Sequence, residues 1–120
     1  MPAQARETWD CRTVSEVLGR VGDKWTILVV VVLRERPHRF NDLKRHVPGI
    51  SQQMLTRTLR ALERDGLISR TIHSTKMLQV QYALTDLGLS LSEAVRHVAD
   101  WAANHIAMMQ ANRAHYDALE

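Results

Sequence analysis

Between Pro48 and Ile68 the chain reads PGISQQMLTRTLRALERDGLI, and no other stretch constrains the fold as much. The Pro-Gly pair breaks whatever helix precedes it. Ser51 suits an N-cap, and Leu55, Leu59 and Leu62 recur at helical spacing. Asp65-Gly66 closes the run, because glycine accepts the left-handed conformation of a C-terminal cap. At roughly 100° per residue, Gln53, Arg57, Arg60 and Arg64 gather opposite the leucines, with Thr56 at the edge of that face. Such a helix packs on its own domain along one side and offers the other to water or to a polyanion.

The flanking segments supply further elements. Residues 1 to 10 lack periodicity and read as a loose arm. TVSEVLGRVG places Val14, Val17, Leu18 and Val21 at i, i+3, i+4 and i+7, one face of a short helix. DKWTILVVVVLRERP is ambiguous: four valines favour a strand, whereas the length from Asp23 to Arg36 and the Asp at its start favour a buried helix. HRFNDLKRHV reads as a helix of about two turns that stops at Val47. The period then changes to two, with Ile68, Arg70 and Ile72 alternating on one side and Leu78, Val80, Tyr82 and Leu84 on the other. This predicts a two-stranded hairpin with a polar tip near His73 to Lys76. From Thr85, an N-cap candidate, Leu87, Leu91, Val95, Val98, Ala102, Ile106 and Met109 mark a long last helix.

Size and charge narrow the function classes. A chain of 120 residues, 45% apolar, fits one domain. Its longest apolar run, Trp25 to Leu33, is well short of the roughly 18 residues a membrane span needs, and no signal peptide is recognisable, so a cytoplasmic protein is expected. Net charge is +3, but from residue 34 to residue 76 ten Lys or Arg face four acids, and the remainder of the chain is acidic. Positive charge is concentrated where a phosphate-binding surface would need it. No Ser/His/Asp or Cys/His pairing, phosphate-binding glycine loop or metal-ligand cluster is visible, so neither an enzyme nor a cofactor is expected. His97 and His105 stand about two helical turns apart, too far to chelate one metal ion.

Helices, a sharp Pro-Gly turn, a helix with a polar outer stripe and then a β-hairpin form the order of a winged helix-turn-helix, mainly α with a small β wing. In such a unit the helix after the turn enters the major groove, where Gln suits adenine and Arg suits guanine. Gln53, Arg57 and Arg60 are the expected base contacts, with Ser51, Gln52 and Thr56 beside them, although Gln52 falls close to the buried side. Arg39 and Lys44, on the helix that crosses the backbone, are expected on phosphate. Lys24 either joins them or is simply solvated. At the hairpin tip Lys76, His73 or Arg70 would reach phosphate or the minor groove.

The segment GDKWTILVVVVLRERPHRFNDLKRHVPGISQQMLTRTLRALERDGLISR, followed by YALTDLG, closely resembles the HxlR-type transcriptional regulators, relatives of the MarR-type winged-helix proteins. KW, RF.DL, PGIS, LT..LR.LE..GL and Y.LT..G succeed one another in the family's order, over most of the chain. The resemblance implies that the valine run is a buried helix. It also implies a DNA-binding core over 11–86, and a homodimer held by the N-terminal segment and the last helix over 86–114. Such a dimer would bind inverted-repeat operators in double-stranded DNA as repressor or activator. The chain departs from the family's pattern at the wing, where KMLQVQY places Gln79 and Gln81, so that only Lys76 carries over there.

Cys11, the only cysteine, rules out a disulfide within the chain. A lone cysteine is commonly a small buried hydrophobe. In several family members a cysteine near the N-terminus, just before the first helix, is a sensor thiol, and Cys11 sits at the matching place. The resemblance thus implies a small electrophile or oxidant as effector. Arg12 beside it and a following helix start are the features that activate a thiol. Two other readings stay open: a small-molecule-responsive regulator with no thiol switch, and a dimerisation adaptor that no longer binds DNA. Trp25 and Trp101 are expected as core or dimer-interface anchors.

Overall fold

Three leucines of the capped helix and the valine run meet at the centre of the molecule. The structure, a computed structural model, describes residues 10–74 and 79–120. Its elements are α1 (Cys11–Val21), α2 (Lys24–Glu35), β1 (His38–Arg39), α3 (Phe40–His46), α4 (Gln52–Arg64), β2 (Ile68–Ser74), β3 (Gln79–Leu84) and α5 (Asp86–Leu119). The valine run is a helix: Asp23 caps it through the Thr26 amide, and Val29, Val30 and Leu33 are buried. Tertiary burial on several sides overrides the strand propensity of successive valines. Leu43, Val47, Ile50, Leu55, Leu59, Leu62, Leu67 and Ile68 complete this core, against which Trp25, Phe40, Tyr82 and Leu91 pack.

The helix-turn-helix is α3, the Pro48-Gly49 turn and α4. Gly49 adopts φ +86°, which a side chain would resist, and the Ile50 amide donates to the Val47 carbonyl at 3.3 Å. Val47 and Ile50 are buried on either side of the turn and fix its angle. At the far end of α4 the Leu67 amide donates to Leu62 O (2.9 Å) and the Gly66 amide to Glu63 O (3.0 Å), a Schellman motif with Gly66 at φ +76°.

The expected hairpin is one part of a three-stranded antiparallel sheet in the order β1-β3-β2. Ile68 faces Leu84, Arg70 faces Tyr82 and Ile72 faces Val80, with an irregularity between Ile72 and Ser74. The third strand, β1, pairs His38 with Tyr82 and Arg39 with Gln81. His38 and Arg39 were expected to begin a helix. Two residues carry too little periodicity to announce a strand, and only the edge of β3 creates one.

α5 is 34 residues long, about 51 Å at the helical rise, and runs past the expected end at 114. Its start is tied to the end of α4: Thr85 Oγ1 donates to Gly66 O (2.6 Å) and accepts from the Gly88 amide (3.1 Å), and the Thr85 amide donates to Leu67 O (3.1 Å). Gly88 lies so close to Leu67 that an added Cβ would stand 2.0 Å from its carbonyl oxygen. Further along, Arg34 of α2 reaches Ser92 O (3.3 Å) and the Glu93 carboxylate (2.6 Å). Beyond that α5 projects from the domain, and the radius of gyration, 18.0 Å, exceeds the about 14 Å of a compact chain this long. No helix among the described residues is long and apolar enough to cross a membrane.

Candidate nucleic-acid interface

α4 displays its polar stripe because its other side is fully committed. Leu55, Thr58, Leu59 and Leu62 are buried, and Ser51 Oγ accepts from the Met54 amide at 3.0 Å to start the helix. On the outer face Gln52, Gln53, Thr56, Arg57 and Arg60 line one shallow groove of about 510 Å³. Gln52 belongs to that exposed set, not near the buried side as its helical angle suggested: as the first residue of the helix it precedes the turns that pack on the core. Thr56 is half-buried and its hydroxyl donates to Gln52 O at 2.9 Å. Arg57 and Arg60 are exposed and form no ion pair with a described residue, so their guanidinium groups remain available to an anion.

A second polar groove lies where α3 begins beside the sheet, lined by Arg39, Phe40, Asn41, Asp42, Arg45, Gln79 and Val80. Arg39 Nη2 donates to Gln79 Oε1 at 2.9 Å, so a wing residue orients a cation from β1. Arg45 is paired with Asp42 one turn back on α3. Neither Arg45 nor Gln79 was expected here: the Asp-Arg spacing of three was the visible signal for the first, whereas the second needs the β1–β3 pairing. Lys44 is exposed on α3. Lys24 is exposed at the first position of α2, with its ammonium 4.7 Å from the centre of the Trp25 ring. Lys76 lies outside the described residues.

Not all of the central positive charge belongs to this face. Arg34 is spent on Ser92 and Glu93 of α5, and Arg70 lies 3.6 Å from Glu63. A count along the sequence cannot separate such internal partners from free cations. No group of three or more metal-binding side chains exists among the described residues.

Cys11 is exposed and is the first residue of α1, not just ahead of it. The helix begins earlier than its apolar periodicity because Asp10 caps it, accepting from the Arg12 amide and the Thr13 hydroxyl, each at 3.1 Å. α1 itself has no buried residue: Val17 and Leu18 are 54% and 59% exposed. The same holds for much of the apolar stripe of α5, where Leu87, Val98, Trp101, Ile106 and Met108 are open and Trp101 stacks on His105 with ring centres 4.6 Å apart. Trp25, by contrast, packs against the core.

The HxlR-like helix-turn-helix family model matches residues 20–110. The HTH-type transcriptional regulator YtfH of Escherichia coli is 45% identical over 86 residues, 72% of this chain and 68% of its own. Among solved structures, the redox regulator HypR in its reduced form superposes with a TM-score of 0.76 at 30% identity, covering 82% of this chain and 98% of that one. The reduced form of the transcriptional regulator YodB from B. subtilis gives 0.70 at 29% identity, covering 78% and 92%. A capped helix with a free cationic face behind a tight turn, a three-stranded wing and these likenesses lead to one conclusion: the chain belongs to the HxlR-like helix-turn-helix family and is a transcriptional regulator of the helix-turn-helix type, not an enzyme.

Proposed function

We propose that two copies of the chain join through the open apolar faces of α1 and α5 and bind an inverted-repeat operator. The DNA-binding unit on this reading is 11–86, and each copy inserts α4 into the major groove. The observation that carries it is the single groove formed by Gln52, Gln53, Thr56, Arg57 and Arg60. Gln53, Arg57 and Arg60 read base edges, since amide and guanidinium groups pair bidentately with adenine and guanine. Ser51, Gln52 and Thr56 flank them. Arg39, Lys44 and Arg45 hold phosphates, with Lys24 and Lys76 as outlying cations. Two α4 helices related by a two-fold axis would lie roughly 34 to 36 Å apart, one turn of DNA.

The test is a gel-shift titration against the intergenic DNA upstream of the chain's own gene, with competitor DNA, at two salt concentrations. Tight, salt-sensitive binding is expected. Arg57→Ala should weaken it by about 1 to 3 kcal/mol and relax preference at particular base pairs. An unchanged footprint and affinity would remove Arg57 from the reading.

Cys11 serves as the sensor thiol on this reading, with a small oxidant or electrophile as effector. Its exposure at the start of α1 favours this, and the similar regulator YodB has been solved diamide-treated and quinone-bound. Having one thiol, the chain would respond by alkylation, or by a disulfide between the two Cys11 residues of a dimer. Cys11→Ser should leave DNA binding intact and abolish any response to diamide or quinone; a variant that still responds would exclude the thiol.

A further inference from the structure

His38 is unlike the other described histidines. It is 3% exposed, and neither ring nitrogen has a hydrogen-bond partner among the described residues. A neutral imidazole carries one donor and one acceptor, and among the described residues neither is matched. The ring sits at the seam between sheet and helix-turn-helix: its backbone pairs with Tyr82 of β3, and its ring centre is 5.3 Å from that of His46 on α3. The charged and titratable groups around it are Glu35 at the end of α2, the adjacent Arg36, Asp42 and His46 of α3, and Tyr82 of β3. Of the two carboxylates, Asp42 is already paired with Arg45. His46 Nδ1 lies 2.7 Å from the Asp42 carbonyl oxygen. A second proton on His38 would therefore bury a cation beside Arg36 with no acceptor in hydrogen-bond range among the described residues.

We propose that His38 is an acid-sensitive latch: when its ring takes a proton, β1 and α3 separate from β3, and the helix-turn-helix loses its fixed position on the wing. The direction of titration agrees. Burial, then the Arg36 guanidinium and then His46 lower the His38 pKa below the ordinary imidazole value, with Asp42 and Glu35 opposing. A lowered folded value means that the open chain binds the proton more readily. The contribution of the closed latch is complete above about pH 6.5, the ordinary value, and is lost as pH falls from there toward the folded pKa. Only the consequence, weaker operator binding in acid, rests on the DNA-binding reading; the latch itself is tested without DNA, so the two can fail separately.

The experiment is reversible thermal unfolding of the full chain between pH 7.5 and pH 5.0, for wild type and His38→Leu, with amide-exchange protection measured at both ends of the range. Relative to His38→Leu, the folded-to-unfolded ratio of wild type should fall by up to about tenfold for each pH unit below 6.5. Protection should drop in β1 and α3 while β2 keeps its own. Parallel pH profiles for the two proteins would overturn the latch, as would loss of protection spread evenly over β2 as well. If His38→Leu does not fold, a histidine-ring NMR titration of wild type decides: His38 protonating near pH 6.5 with no change in β1 or α3 defeats the proposal, and a ring still neutral at pH 6 supports it.

Discussion

α4 and α5 carry the same kind of apolar stripe, yet the chain treats them in opposite ways. In α4 the stripe is consumed internally: Leu55, Leu59 and Leu62 are buried, and what remains outside is mostly glutamine and arginine, with Ala61 and Glu63 toward its end. In α5 the first two turns are held by Leu67, Thr85 and Arg34, and after them Val98, Trp101, Ile106 and Met108 stay open. A periodic stripe announces that a face wants burial; it does not say which surface supplies it. The polar face of one helix and the apolar face of the other are both left without a partner among the described residues, and the proposed partners are DNA for the first and a second copy for the second.

The comparison can be broken from the α4 side first. Leu59→Ala removes a fully packed side chain from the core and should cost about 2 to 5 kcal/mol of folding stability, read from urea unfolding. A loss below 1 kcal/mol would mean that the leucine stripe is not the anchor described. On the α5 side, Val98 is 66% exposed, so Val98→Asp should leave the protomer folded. Sedimentation should instead show a dimer weakened by about 1.5 to 3 kcal/mol for each of the two valines withdrawn, roughly a hundred- to ten-thousandfold in dissociation constant. A dimer indifferent to this change would move the interface elsewhere. The smallest effect belongs to the link between the two regions, where Arg20 of α1 meets Asp65, the C-cap of α4, at 2.7 Å. Arg20 is half exposed, so solvent screens the pair, and Arg20→Ala should cost no more than about 1 kcal/mol, diminishing further in salt. A larger loss of melting temperature would reveal that α1 braces α4.

Legibility followed the reach of each interaction. The α4 helix, its Ser51 cap and its Gly66 stop are local, set within a few residues by capping and spacing, and Gln53, Arg57 and Arg60 could be put on one face from their angles alone. Gln52 was misplaced because helical angles ignore that the first turn has not yet met the core. β1 escaped because a two-residue strand exists only where β3 offers an edge, and the same pairing brings Gln79 to Arg39. The basic segment overstated the phosphate face because Arg34 and Arg70 are answered by Glu93 and Glu63, at separations that no local pattern encodes.

What the sequence determined by itself is the set of elements whose causes are short-range: a stop at Pro48-Gly49, a capped amphipathic helix, a change of period into the wing, and a long last helix begun by Thr85. Tertiary structure decided everything that depends on which surfaces meet. It buried the valine run as a helix, closed His38 into a site without hydrogen-bond partners among the described residues, and left α1 and most of α5 open. The physical reason is that backbone hydrogen bonding and capping are satisfied among near neighbours, whereas burial is a property of the assembled surface and has no value until the distant segments are in place.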